Sequence, residues 1–168
     1  MEERLSRGLA ARGIGAAASL RGSANAGIGV LDQARFFSGL APAQRARIAE
    51  ISVLRAFPKD TSIYLVGDPV EDFYVLADGT VRFTLGLGKR ETSAGEIIRR
   101  GDVFGWAALV EGHSRRIATA YCLTPCEVIA IAGDKLLGLM ERDHSLGYAL
   151  MKQLAALLTS ELVAFAAG

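Results

Sequence analysis

The chain has 168 residues, 51% hydrophobic and 22% charged, with 19 Lys and Arg set against 18 Asp and Glu for a net charge of +1. That balance is that of an ordinary globular chain rather than a disordered one, and it supplies no basic excess of the kind that nucleic-acid neutralisation uses. No uncharged apolar run approaches the roughly 20 residues that a bilayer span needs, so no membrane partner is expected and the cytoplasm is the expected location.

Residues 1–30 are rich in Ala, Gly, Ser and Arg and carry no aromatic. Their scattered glycines weaken any helix, so a flexible arm is expected there. A helical lead-in follows over 31–52, where Phe36, Phe37 and Leu40 form an apolar knot, Pro42 suits a first helical position, and Ile48 and Ile51 recur at helical spacing.

Over 53–132 the period shortens to that of strands: Val53 to Phe57, Ser62 to Val66, Phe73 to Ala77, Thr80 to Leu85 and Glu96 to Arg99. Pro58-Lys59-Asp60, Gly67-Asp68-Pro69, Asp78-Gly79 and a glycine-bearing turn from Gly86 to Gly95 separate them. Val81, Phe83 and Leu85 face one way and Arg82 and Thr84 the other, as in a half-buried antiparallel strand. Two further strands, Ile117 to Leu123 and Cys126 to Ile131, flank the break at Pro125. Strands this short and closely spaced predict an antiparallel jelly roll, so the fold class is mainly β with flanking helices. Cys122 and Cys126 would lie about 13 Å apart on one extended strand, though a turn at Thr124-Pro125 brings them closer; buried reduced thiols are expected.

Helices are predicted over 134–166. Asp134 is the expected N-cap of the first, and Ser145 the expected start of a long second one. Leu146, Leu150, Leu154, Leu157, Leu158, Leu162 and Phe165 form a stripe along roughly 30 Å of the second helix. A stripe that long outreaches a small barrel, so a homodimer or a protein partner docked on this helix is expected.

The segment that carries chemistry is GDVFGWAALVEGHSRRIATA, Gly101 to Ala120. A glycine at Gly105 lets backbone approach a ligand, Trp106-Ala107-Ala108-Leu109 is long enough for one helical turn whose leading N–H groups favour anions, and Arg116 supplies fixed positive charge. Together these groups can hold a phosphate. His113 and His144, the only histidines, lie on unrelated segments, so no metal site is expected. No nucleophile stands with a base in a recognisable motif, so no catalysis is expected.

Phe104-Gly105-Trp106-Ala107-Ala108-Leu109 followed by Arg116-Ile117-Ala118-Thr119 resembles the phosphate-binding cassette of cyclic nucleotide-binding domains, the family of catabolite activator proteins and cyclic-nucleotide-dependent kinase regulatory subunits. The similarity runs from about Phe36 to about Leu162. It implies a ligand site made of these ten residues, a cyclic nucleotide or another small phosphate as ligand, and a regulatory role signalled through the terminal helices. It also implies that Arg116 pairs with the phosphate. The family's Glu after the glycine, which accepts from the ribose 2′-hydroxyl, is replaced by Trp106, and the Ser or Thr after the arginine by Ile117. Trp106 then either plugs the ribose site, the favoured reading, or offers a platform for a planar ligand. An interaction protein that keeps the fold without a ligand is the alternative. In the transcription factors of the family a DNA-binding domain follows the long helix; none follows here, so direct DNA binding is not expected.

Overall fold

In the computed structural model, residues 18–19, 24–87, 90–112 and 114–167 are described, and the side chains of 18–19, 24–26, 86–96 and 165 are left aside. Among the described residues, nine strands form two antiparallel sheets. One has the order β1 (Ala18–Ser19), β2 (Ser52–Phe57), β9 (Cys126–Ala132), β4 (Asp72–Asp78), β7 (Val103–Phe104). The other has the order β3 (Ser62–Tyr64), β8 (Thr119–Cys122), β5 (Val81–Leu87), β6 (Arg90–Ile98).

The five-stranded sheet is the middle layer, and the alternation along its strands shows this. On β4, Phe73, Val75 and Ala77 join a helix-side core, while Tyr74 and Leu76 join a core between the sheets. On β9, Ile129 and Ile131 go to the first and Val128 and Ala130 to the second. Because side chains alternate along a strand, a strand apolar at every position must be covered on both faces.

The helical layer consists of α1 (Ala24–Gln33), a 3₁₀ turn at Arg35–Phe37, α2 (Pro42–Glu50), α3 (Gly133–Arg142) and α4 (His144–Ala167). Phe36 and Phe37 are buried against Phe73, with ring centroids 5.0 and 6.4 Å from it. Pro42 opens α2, and the Gln44 side chain accepts from the Ala41 N–H at 2.9 Å. Residues 1–30 are not uniformly an arm. β1 pairs with Arg55 and Ala56 of β2, and α1 covers the latter part of the segment. Its Gly27 and Gly29 cost about 1 kcal/mol each relative to Ala, a cost opposed by Ile28, Val30 and buried Leu31 packing on the helix-side core. Residues 1–17 and 20–23 lie outside the described residues.

Two other local expectations change. Within the predicted turn from Gly86 to Gly95, residues 86–87 and 90–95 are strand, β5 and β6 pairing from Thr84 with Ser93 to Leu87 with Arg90, and residues 88–89 lie outside the described residues. Asp134 does not cap α3 from outside. It sits inside the first turn, where its Oδ1 accepts from the Lys135 N–H. The capping aspartate is Asp143, ahead of α4, whose Oδ1 accepts from the Leu146 N–H at 3.0 Å and the Ser145 hydroxyl at 2.7 Å. Its Oδ2 takes Gln44 Nε2 at 3.1 Å and the Arg47 guanidinium, which ties α2 to the α3–α4 corner. The Ser145 hydroxyl, its neighbouring donors and Arg47 hold this carboxyl well below the usual carboxylate range. A lowered folded-state pKa stabilises the fold above the unfolded value and loses that contribution as pH falls. Asp143→Asn is therefore expected to lower the melting temperature at pH 7 and to flatten its decline from about pH 4 downward, measured by circular dichroism.

Cys122 and Cys126 are free and buried. They are not held at an extended-strand distance, because the chain turns between β8 and β9 and both thiols enter the same buried cluster. The neighbouring Cys126 thiol and burial raise the Cys122 thiol above its usual range.

Candidate anion-binding site

Gly105 organises the cassette. Its φ of +74° is left-handed, which an L-residue adopts at a cost, and a Cβ there would stand 2.9 Å from Tyr74 Cδ2 and 3.1 Å from Arg116 Nη1. The reversal sends its two neighbours to different places. Phe104 ends β7 and enters the core between the sheets, stacked on Tyr74 with centroids 5.1 Å apart and planes at 16°. Trp106 opens the 3₁₀ turn Trp106–Leu109 and packs on the helix-side core with Ala108 and buried Leu109.

Arg116 reaches the same place from the segment before β8. It is a buried residue, 4% exposed, and lies between carbonyls: Nη1 donates to Gly105 O at 3.1 Å and Nη2 to Asp72 O at 2.6 Å. Its guanidinium carbon sits 4.3 Å from the Tyr64 ring centroid and 5.6 Å from that of Tyr74, so aromatic faces supply further attraction. The Asp72 carboxylate is engaged elsewhere, with Arg55 at 2.8 Å. Among the described residues Arg116 takes part in no ion pair, and its buried Nε has no hydrogen-bond partner. Burial pushes the Tyr64 and Tyr74 phenols up, opposed in both by Arg116, so neither provides a compensating anion. A buried cation with an open N–H is costly unless an anion meets it.

The ten residues expected at the site divide into three groups. Phe104, Gly105 and Arg116 come together around the Tyr64–Tyr74 pair. Ala107, Ala108 and Leu109 form the adjoining turn, and Ala118 and Thr119 lead from Arg116 into β8, where Thr119 Oγ1 accepts from the Val66 N–H at 3.0 Å. Trp106 and Ile117 depart from expectation. Ile117 is 59% exposed, so it points to solvent rather than making the hollow less polar. Trp106 packs on the helix side instead of plugging a site between the sheets. Glu161 of α4 is exposed as a residue, yet desolvation pushes its carboxyl up, opposed by the Trp106 indole. Arg115 is exposed and donates to Gly67 O at 3.2 Å.

Sequence reasoning missed Tyr64, Tyr74 and the Asp72 carbonyl. An aromatic on each of two strands was the available sign, but which face it occupies depends on register. His113 lies outside the described residues. Among those described, no group of three or more metal-ligating side chains converges and no helix is long and apolar enough to cross a membrane.

The pattern that defines the cyclic nucleotide-binding domain family matches residues 54–143. The cAMP-dependent protein kinase regulatory subunit of Pyricularia oryzae is 30% identical over 115 residues, covering 66% of this chain and 28% of that protein. The chain spans between 28% and 56% of the length of the curated relatives it matches. A crystal structure from Geobacter metallireducens, assigned to cyclic nucleotide binding, is 26% identical with a TM-score of 0.68, over 79% of this chain and 95% of the other. A cyclic nucleotide-binding domain from Methylobacillus flagellatus shares the fold, with a TM-score of 0.73 at 18% identity over 87% and 83% of the two chains.

Proposed function

Because the chain belongs to the cyclic nucleotide-binding domain family, we propose that it is a non-catalytic regulatory module that senses a small anionic, nucleotide-like ligand at Phe104–Leu109 and Arg116–Thr119. The observation that carries this reading is Arg116: buried, outside every ion pair among the described residues, and with Nε open. Occupancy would be signalled through the terminal helices, which requires the ligand to favour one of their arrangements over another. Cytoplasmic location belongs to the same proposal.

Calorimetric titration with cyclic AMP, cyclic GMP and cyclic dinucleotides tests it. Saturable heat with one of them is expected, and no heat from any of them at millimolar concentration defeats the reading.

A second reading, assembly through α4 without a ligand, is favoured by the apolar side chains this helix leaves in solvent: Tyr148, Met151, Leu162 and Val163. A homodimer through that face is compatible with either reading. Sedimentation equilibrium is expected to give a concentration-dependent dimer that Leu162→Glu with Val163→Glu dissociates; a monomer at every concentration removes self-association.

A further inference from the structure

The unpartnered Nε of Arg116 is out of contact with solvent, and the residue as a whole is 4% exposed. An anion therefore reaches that N–H only if a neighbour moves. Among the described residues, four groups meet the guanidinium: Gly105 O and Asp72 O on its terminal nitrogens, and the rings of Tyr64 and Tyr74, with centroids 4.3 and 5.6 Å from Cζ. Three of them are well held. Asp72 and Tyr74 belong to β4, which pairs with β9 along its length and with β7 at Tyr74. Gly105 follows β7 directly, and its carbonyl also accepts from the Ala108 N–H at 3.2 Å. Tyr64 is held least. Among the described residues it ends β3, a three-residue edge strand paired with β8 alone, and the register shifts between Ser62 and Tyr64. Its ring lies 5.8 Å from that of Tyr74, a looser contact than the 5.1 Å between Tyr74 and Phe104. The backbone just beyond it is tied to Arg116 itself: Gly67 N–H donates to Arg116 O and Arg116 N–H to Asp68 O, each at 2.8 Å. The Tyr64 side chain is thus the part that can swing.

We propose that Tyr64 is a gate on the anion site: its ring covers the Arg116 guanidinium in the ligand-free protein and turns aside to admit a ligand to Nε. The gate deepens the regulatory reading and rests on it for a ligand; the cover over Arg116 stands without one. An aromatic face attracts a desolvated guanidinium, so the covered arrangement is favoured and an arriving anion competes with it. The measured affinity is then the intrinsic one reduced by the fraction of molecules whose ring has turned aside. Leucine at position 64 removes the aromatic face, whereas phenylalanine keeps it and loses only the hydroxyl.

Phenylglyoxal, which adds to accessible guanidinium groups, tests the cover in the ligand-free full chain, read at Arg116 by peptide mass spectrometry with exposed Arg115 as the reference. In the unaltered chain Arg116 is expected to react at least about tenfold more slowly than Arg115. Tyr64→Leu should speed the Arg116 reaction about tenfold and leave Arg115 unchanged, and Tyr64→Phe should match the unaltered chain. Tyr64→Met, whose unbranched side chain fills irregular space, takes the place of Tyr64→Leu if circular dichroism shows that leucine impairs folding. An Arg116 rate unchanged by loss of the ring overturns the gate, and so does a rate in Tyr64→Phe raised as far as in Tyr64→Leu. Calorimetric titration with cyclic AMP tests the use of the gate. Tyr64→Leu is expected to bind about tenfold more tightly than the unaltered chain, and equal or weaker binding overturns the role of Tyr64 in ligand entry. No binding to either protein defeats the regulatory reading, whereas the ligand-free rates still decide the cover.

Discussion

Arg116→Lys is expected to weaken binding of a cyclic nucleotide or comparable phosphate by about 10- to 100-fold, measured by calorimetry, with the fold retained. A charge-assisted hydrogen bond contributes roughly 1.5 to 3 kcal/mol, about one to two decades of affinity. Lysine keeps the charge but presents it as a point on a flexible stem; it cannot span Gly105 O and Asp72 O while keeping an N–H for a guest. Arg116→Met separates binding from stability. It removes a buried unpaired cation, which favours the fold, and leaves two carbonyls without their donors, which opposes it. These terms are of similar size, so stability should change by less than about 2 kcal/mol while anion binding disappears. If binding to both variants matched that of the unaltered chain, Arg116 would be a structural strut only.

Gly105→Ala is expected to destabilise the protein by about 2 to 4 kcal/mol and to abolish anion binding together with it. The left-handed backbone alone accounts for about 1 to 2 kcal/mol. The remainder comes from a Cβ forced against Tyr74, Arg116 and the Asp72 carbonyl, the groups that form the site. Gly112 supplies the control, with a φ of +87° and nothing within 4 Å of where its Cβ would stand. Gly112→Ala should therefore cost only the backbone share and leave binding intact. Comparable losses in urea denaturation of the two variants would show that contact at Gly105 contributes nothing.

The strands over 53–132 were legible because β4 and β9 carry apolar residues at nearly every position and their neighbours alternate, with turn residues between them. Asp78-Gly79 was legible for the same kind of reason: Gly79 has φ +93°, and a Cβ there would stand 2.4 Å from Pro125 O. β6 was not. It is the edge strand of its sheet, with neither the apolar run nor the alternation of a covered strand, and its Gly95 suggested a turn. Asp134 and Asp143 are equally plausible caps by residue type, and the corner that brings Gln44 and Arg47 onto Asp143 is a tertiary fact that local pattern does not contain.

The cassette divides in the same way. Gly105 and Arg116 were legible as residues, since the one answers a backbone demand and the other a charge demand. Trp106 was not, because residues two apart on a strand share a face and only the left-handed turn at Gly105 separates Phe104 from Trp106. Ile117 was read as lining the hollow through its neighbour Arg116, but in the segment before β8 Arg116 is buried while Ile117 is exposed.

The account depends on the open N–H of Arg116, and the Nε–H resonance of that side chain in a nitrogen-15-labelled sample observes it directly during titration with cyclic AMP, cyclic GMP or cyclic dinucleotides. A saturable shift of this resonance with slowed solvent exchange, absent in Arg116→Lys, is the predicted result. An Nε–H resonance unmoved by every one of these ligands at millimolar concentration would contradict it.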